Sequence, residues 1–139
     1  MYYVQEGSIE LPVEWKDQSI NIISASQTGE PSLSMTMTRD DIPWGMSFDE
    51  YVADQLRQAG ETLKDFTVLH QQEMQIGGHR ALQTECKWVA KQGPMHQLIT
   101  SLMPGKRVLI ITATAPGAFS DGQKQQMQQV IASFRPRQG

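Results

Sequence analysis

The residue types that most often carry chemistry are few in this chain, and their spacing argues against catalysis. His70, His79 and His96 are scattered, with none of the short Cys/His intervals of a zinc site. Each reads as a structural or exposed histidine. Cys86 alternates with Thr84 and Trp88 in a strand-like run, so it reads as a small packed hydrophobe. Asp40-Asp41 has the charge to hold a cation, but a solvated loop pair is the simpler reading. There is no Walker loop, no dinucleotide-binding glycine fingerprint and no Gly-x-Ser-x-Gly elbow. Nothing nominates an enzyme, a metal or a cofactor.

Interaction chemistry is better represented. Ser32-Leu33-Ser34-Met35-Thr36-Met37-Thr38 alternates hydroxyl and apolar residues without a break. A period of two places Leu33, Met35 and Met37 on one face of a β-strand and the hydroxyls on the other. The apolar face reads as core. The hydroxyl face carries no Lys, Glu or Asp, the usual side chains of a solvated strand. It is either a wet surface or a docking surface for something apolar. The preceding run, residues 18–24, is the natural hairpin partner. It sets Ile20 and Ile22 on one face, as plain core or as part of a surface that mixes isoleucine with Ser and Thr.

Length and composition bound the possibilities. The 139 residues suit one domain, with 39% hydrophobic and 19% charged residues. Net charge is −3 and no Lys/Arg run appears, so nucleic acid is not an expected partner. One cysteine excludes an internal disulfide framework and fits a reducing compartment. The N-terminal residues lack the basic and apolar regions of a secretory signal. No apolar run approaches the roughly 20 residues of a membrane span. These features lead us to expect a cytoplasmic protein without stable membrane insertion.

The elements that must position the hydroxyl strand follow from pattern. Residues 2–4 and 8–12 read as short strands. Ser47-Phe48-Asp49-Glu50 forms a capping box. It opens a helix whose stripe is Phe48, Tyr51, Val52, Leu56, Ala59 and Leu63, with Gln55 beside it and an end near Lys64. A meander follows: strands at 66–76, 79–90, 95–103 and 107–115, with Gly77-Gly78 as a hairpin turn. Ser120-Asp121-Gly122-Gln123 is a second capping box, and Met127, Val130, Ile131 and Phe134 form the buried stripe of a last helix. The order predicts an α+β fold: an antiparallel sheet of about six or more strands with two principal helices.

Several of these segments together resemble the Eag chaperones of type VI secretion, in the DcrB-like superfamily. They are Leu11-Pro12-x-x-Trp15-x-Asp17-Gln18-Ser19-Ile20-Asn21-Ile22, Arg39-Asp40, Phe48-x-x-Tyr51-Val52-Ala53-x-Gln55-Leu56, Gly78-His79-Arg80-Ala81 with Gln97, and Val108-Leu109-Ile110-Ile111-Thr112. The resemblance implies a DcrB-like sandwich and a cytoplasmic homodimer. The dimer would shield the N-terminal transmembrane helices of a secreted effector, of the PAAR/Rhs type, before loading on the secretion spike. Position by position, it implies partner-binding roles for Ile20, Ile22, Ser34, Thr38, Gln55, Ala59, Leu63 and Gln97. Thr38 stands where the family pattern has serine, keeping the hydroxyl and adding a methyl.

Physical chemistry makes that role coherent. A spanning helix has its backbone paired internally, so a chaperone mainly covers side chains. Small residues allow close approach, and Ser, Thr and Gln hydrogen-bond to helices as they do between membrane spans. One sheet covers one side of a helix, whereas a symmetric dimer closes around it. The alternatives from the same residues are a generic DcrB-like module for a small ligand or folded protein partner, and a small enzyme.

Overall fold

The Gly77-Gly78 turn shows how closely local chemistry sets this architecture. Both glycines have positive φ, +58° and +84°, which a tight hairpin turn requires and most side chains resist. Ile76 and His79 therefore stand opposite each other, and β5 (Lys64–Ile76) runs back antiparallel as β6 (His79–Ala90). The computed structural model describes residues 2–4, 7–9, 20–24 and 33–135. The expected segments 10–12 and 18–19, together with Ser32, lie outside them.

The meander continues through β7 (Gly93–Leu102) and β8 (Val108–Pro116), each antiparallel to the strand before. β4 (Ser34–Asp40) then pairs with β8, and β3 (Asn21–Ser24) pairs with β4. The six-stranded order is β3-β4-β8-β7-β6-β5. β1 (Tyr2–Val4) and β2 (Gly7–Ile9) pair antiparallel as a separate two-stranded sheet. This is the α+β antiparallel architecture that the pattern predicts. Several boundaries differ from it. β3 begins at Asn21, leaving Ile20 before the ladder, β5 begins at Lys64, and β7 begins at Gly93, ahead of Pro94. Helix α1 ends at Thr62, and α2 ends at Ala132, which leaves Phe134 beyond the helix though still packed on the core.

Helix α1 (Phe48–Thr62) opens on the predicted capping box. Ser47 Oγ accepts from the Glu50 amide, and Glu50 accepts from the Ser47 amide. Helix α2 (Asp121–Ala132) opens the same way, through Ser120 and Gln123.

Alternation gives the sheet two faces. On one, Met35, Leu98, Leu102, Leu109, Ile111 and Ala113 pack beneath Met127 and Ile131 of α2 as a single core. Each Leu, Ile or Met side chain there, where fully buried, stabilises the fold by about 1.5–3 kcal/mol. Leu33 and Met35 are buried and Met37 packs against the same cluster, as the alternation predicts. Val130 is a correction. It lies beside the buried stripe of α2 but is 45% exposed, because the helix meets the sheet along the narrow Met127–Ile131 line.

Buried polar groups on this face are paired. His96 Nε2 bonds Glu85 at 2.7 Å, and the Phe119 amide donates to His96 Nδ1. Lys124 of α2 reaches the other Glu85 oxygen at 2.7 Å. Gln83 donates to Thr100 and exchanges bonds with Gln128 of α2. His96 is thus a structural histidine. Burial pushes the Glu85 carboxyl up, but Lys124 and His96 outweigh it and hold the group below its ordinary value.

Candidate functional site

The opposite sheet face is where the hydroxyl strand points. The ladder sets Ile22 opposite Thr36, Ser34 opposite Thr114, Thr36 opposite Thr112 and Thr38 opposite Ile110. It continues with Gln97 opposite Thr114, Ile99 opposite Thr112 and Ser101 opposite Ile110. Residues opposite one another share a face. Ile22, Ser34, Thr36, Thr38, Ile110, Thr112, Thr114, Gln97, Ile99 and Ser101 therefore form one continuous surface over four strands, with no charged side chain among them.

Helix α1 stands on this face as a wall. Its start is pinned to the end of β4 by Tyr51, whose hydroxyl donates to Asp40 at 2.5 Å. Tyr51 is buried, and burial followed by the Asp40 carboxylate pushes its hydroxyl pKa far up. Arg80 of β6 holds Asp49 from the side, at 2.6 and 2.8 Å, and the Asp49 pKa is lowered by that bond. Between wall and sheet runs a cleft of about 220 Å³. Val52, Gln55, Leu56 and Ala59 line one side, and Leu82, Thr84, Ile99, Ser101, Ile110 and Thr112 line the floor.

The residues singled out from sequence fall into three groups. Gln55 and Ala59 sit in the cleft wall. Ser34, Thr38 and Gln97 lie on the same sheet face, half-buried, and Ile22 extends it to the edge strand. Ile20 and Ile22 are 61% and 73% exposed, so the plain-core alternative for them does not hold. Leu63 stands apart. It caps α1 and lines a second depression with Trp88, Val89 and Ala90. A hydrogen-bonded chain lies between: Trp88 Nε1 donates to Gln97 at 2.8 Å, and Gln97 donates to Thr114 at 3.2 Å.

Sequence reasoning missed the floor. Thr112 and Thr114 alternate with Ala113 and Ala115, so their period was a usable signal, whereas Ile110 lies in the unbroken apolar run 108–111. Ile99, Ser101 and Thr84 reach the cleft only through strand order, which periodicity does not reveal.

The site holds no obvious reactive group. Cys86 is fully buried, and desolvation pushes its thiol up to about 11. Asp40 and Asp41 are engaged by Tyr51 and Arg107. Among the described residues, no cluster of His, Cys, Asp or Glu is placed to hold a metal ion, and no helix is long and apolar enough to cross a membrane. What the face can do is bind, by apolar contact with hydroxyl and amide groups interleaved.

Comparisons with known proteins add to this geometry. A family model described as DcrB matches residues 6–133. A Pseudomonas aeruginosa protein named Effector EagT6 is 29% identical over 141 residues, covering 99% of this chain and 96% of its own. The crystal structure of PA94, a P. aeruginosa protein of unknown function, matches with a TM-score of 0.82 at 27% identity, covering 99% and 96% of the two chains. The solution structure of the PsbP protein of Synechocystis sp. PCC 6803 shares the fold alone, with a TM-score of 0.50 at 7% identity over 81% and 76%.

Proposed function

The chain belongs to the DcrB family, and from that premise we propose that it is a cytoplasmic, non-enzymatic chaperone of a type VI secretion effector. In this reading it shields the effector's N-terminal transmembrane helices, of the PAAR/Rhs type, before loading. The sequence motifs that resemble Eag chaperones support it, as does the similarity to a protein that carries the Eag name.

The observation that carries the proposal is the uncharged face beside α1. Ile22, Ile99, Ile110 and Ala59 offer apolar contact to a helix, while Ser34, Thr36, Thr38, Thr112, Gln55 and Gln97 offer hydrogen bonds to its carbonyls. Such a surface suits a membrane helix better than a small molecule. The cleft, at about 220 Å³, falls below the roughly 300–1,000 Å³ usual for ligand sites. One such face leaves the far side of a helix wet, so the proposal includes a homodimer that closes around it.

Co-expression with an effector N-terminal region tests this. The expected result is a soluble complex that is lost when the apolar helices are deleted from the effector. An effector that remains soluble and unbound, with its helices present, contradicts the proposal.

A further inference from the structure

At the end of the sheet where β4 finishes and β8 begins lies a feature the helix-binding face does not use. Arg39, Lys106, Arg107 and Arg135 line one open depression of about 480 Å³, with Leu109 and Phe134 beside them. Four of the chain's twelve basic residues meet there, although the whole chain carries a net charge of −3. The cluster is a product of folding. Arg39 comes from β4, Lys106 and Arg107 from the β7–β8 connection, and Arg135 from just beyond α2.

The position is distinct from the cleft. Arg39 and Leu109 are opposite one another in the ladder, on the face that carries α2. Internal bonds orient the guanidinium groups. Arg39 donates to the Asn21 side chain and the Met37 carbonyl, and Arg107 donates to Asp41 at 3.1 Å. Asp41 offsets part of the charge. Arg135 donates to the carbonyls of Ala132 and Phe134, neutral acceptors that leave its charge in place. Lys106 is exposed on the turn.

We propose that this depression binds an acidic, extended stretch of a protein partner. Carboxylates of that stretch would meet Lys106 and Arg135, within the field of Arg39 and Arg107, and an apolar side chain among them would rest on Leu109 and Phe134. Planar guanidinium groups pair with carboxylates in fixed geometry, and Arg clusters are a recurring way to read acidic motifs. A recess with an apolar floor suits a peptide better than a bilayer, whose flat surface meets projecting groups. The inference is independent of the helix-binding proposal, and the two surfaces, on opposite sheet faces, can be occupied together.

The test uses the full chain and a dye-labelled peptide of alternating glutamate and leucine, read by fluorescence anisotropy. Saturable binding is expected at low salt, weakening as ionic strength rises from about 50 to about 300 mM. Lys106→Glu alone, which touches no internal bond, should weaken binding several-fold, and the Lys106→Glu/Arg135→Glu pair by roughly tenfold or more. Lys87→Glu, a charge reversal elsewhere, should leave it unchanged, as should Ser34→Glu on the opposite face. Absence of binding at low salt overturns the proposal, as does binding indifferent to Lys106 and Arg135. Anionic phosphatidylglycerol vesicles form the second arm. Vesicle binding that needs these two residues, without peptide binding, replaces the acidic partner with a membrane surface.

Discussion

Ile22→Ala separates a docking residue from a core residue by magnitude. The substitution removes three carbons, worth about 2.4 kcal/mol if the side chain goes from fully exposed to fully buried. In the free chain Ile22 is 73% exposed. Only about 0.6 kcal/mol is therefore at stake in folding, and about 1.8 kcal/mol remains for whatever covers it. The second figure corresponds to roughly a twentyfold loss of affinity. Ile22→Thr, which keeps β-branching, separates lost apolar surface from lost strand propensity. The assay pairs urea denaturation of the free chain with titration of an effector N-terminal segment. The expected outcome is a nearly unchanged unfolding midpoint with sharply weaker capture. A fall of about 2 kcal/mol in stability with capture intact would refute the argument, because Ile22 would then act as core.

Two further perturbations test the scaffold. Glu85 is held below its ordinary value, so its contribution to stability is present above the unfolded carboxyl pKa and is lost as pH falls through the lowered folded one. Thermal melts should therefore drop on acidification below the ordinary value of 4.5, more steeply in the wild type than in Glu85→Gln, and equal slopes would show that the Lys124–Glu85–His96 cluster contributes nothing. Tyr51→Phe removes a hydrogen bond to a carboxylate and should cost about 1.5 kcal/mol in chemical denaturation. If the wall of the cleft is set by that pin, capture should weaken as well, and unchanged stability would show that Asp40 does not anchor α1.

The local features of this fold were legible because their causes are local. Both capping boxes form as written, the Gly77-Gly78 turn sets the β5–β6 register, and the alternation of residues 33–38 sorts core from surface. What was not legible depends on strand order. That β4 pairs with β8, and so brings Thr112 and Ile110 beside Thr36 and Thr38, is a contact between distant segments with no periodic trace. The Glu85–His96–Lys124 cluster draws on two strands and a helix for the same reason. The isoleucine pattern near residue 20 fitted an edge strand as well as a core strand, and only placement of β3 at the rim decides between them. Leu63 continues the helical stripe by spacing, yet it falls at the cap, where the chain turns away toward Trp88.

The central claim is that the uncharged face between β3 and α1 takes an apolar helix. The most direct test is to place a bare charge there, with Ser34→Glu and Gln55→Glu separately, and measure capture of an effector N-terminal segment by size-exclusion light scattering. The account predicts a wild-type complex of two chaperones with one effector segment. Either charge should abolish it while the circular dichroism and melting of the free protein stay near wild type. A complex that survives both substitutions contradicts the claim and moves the binding site off this face.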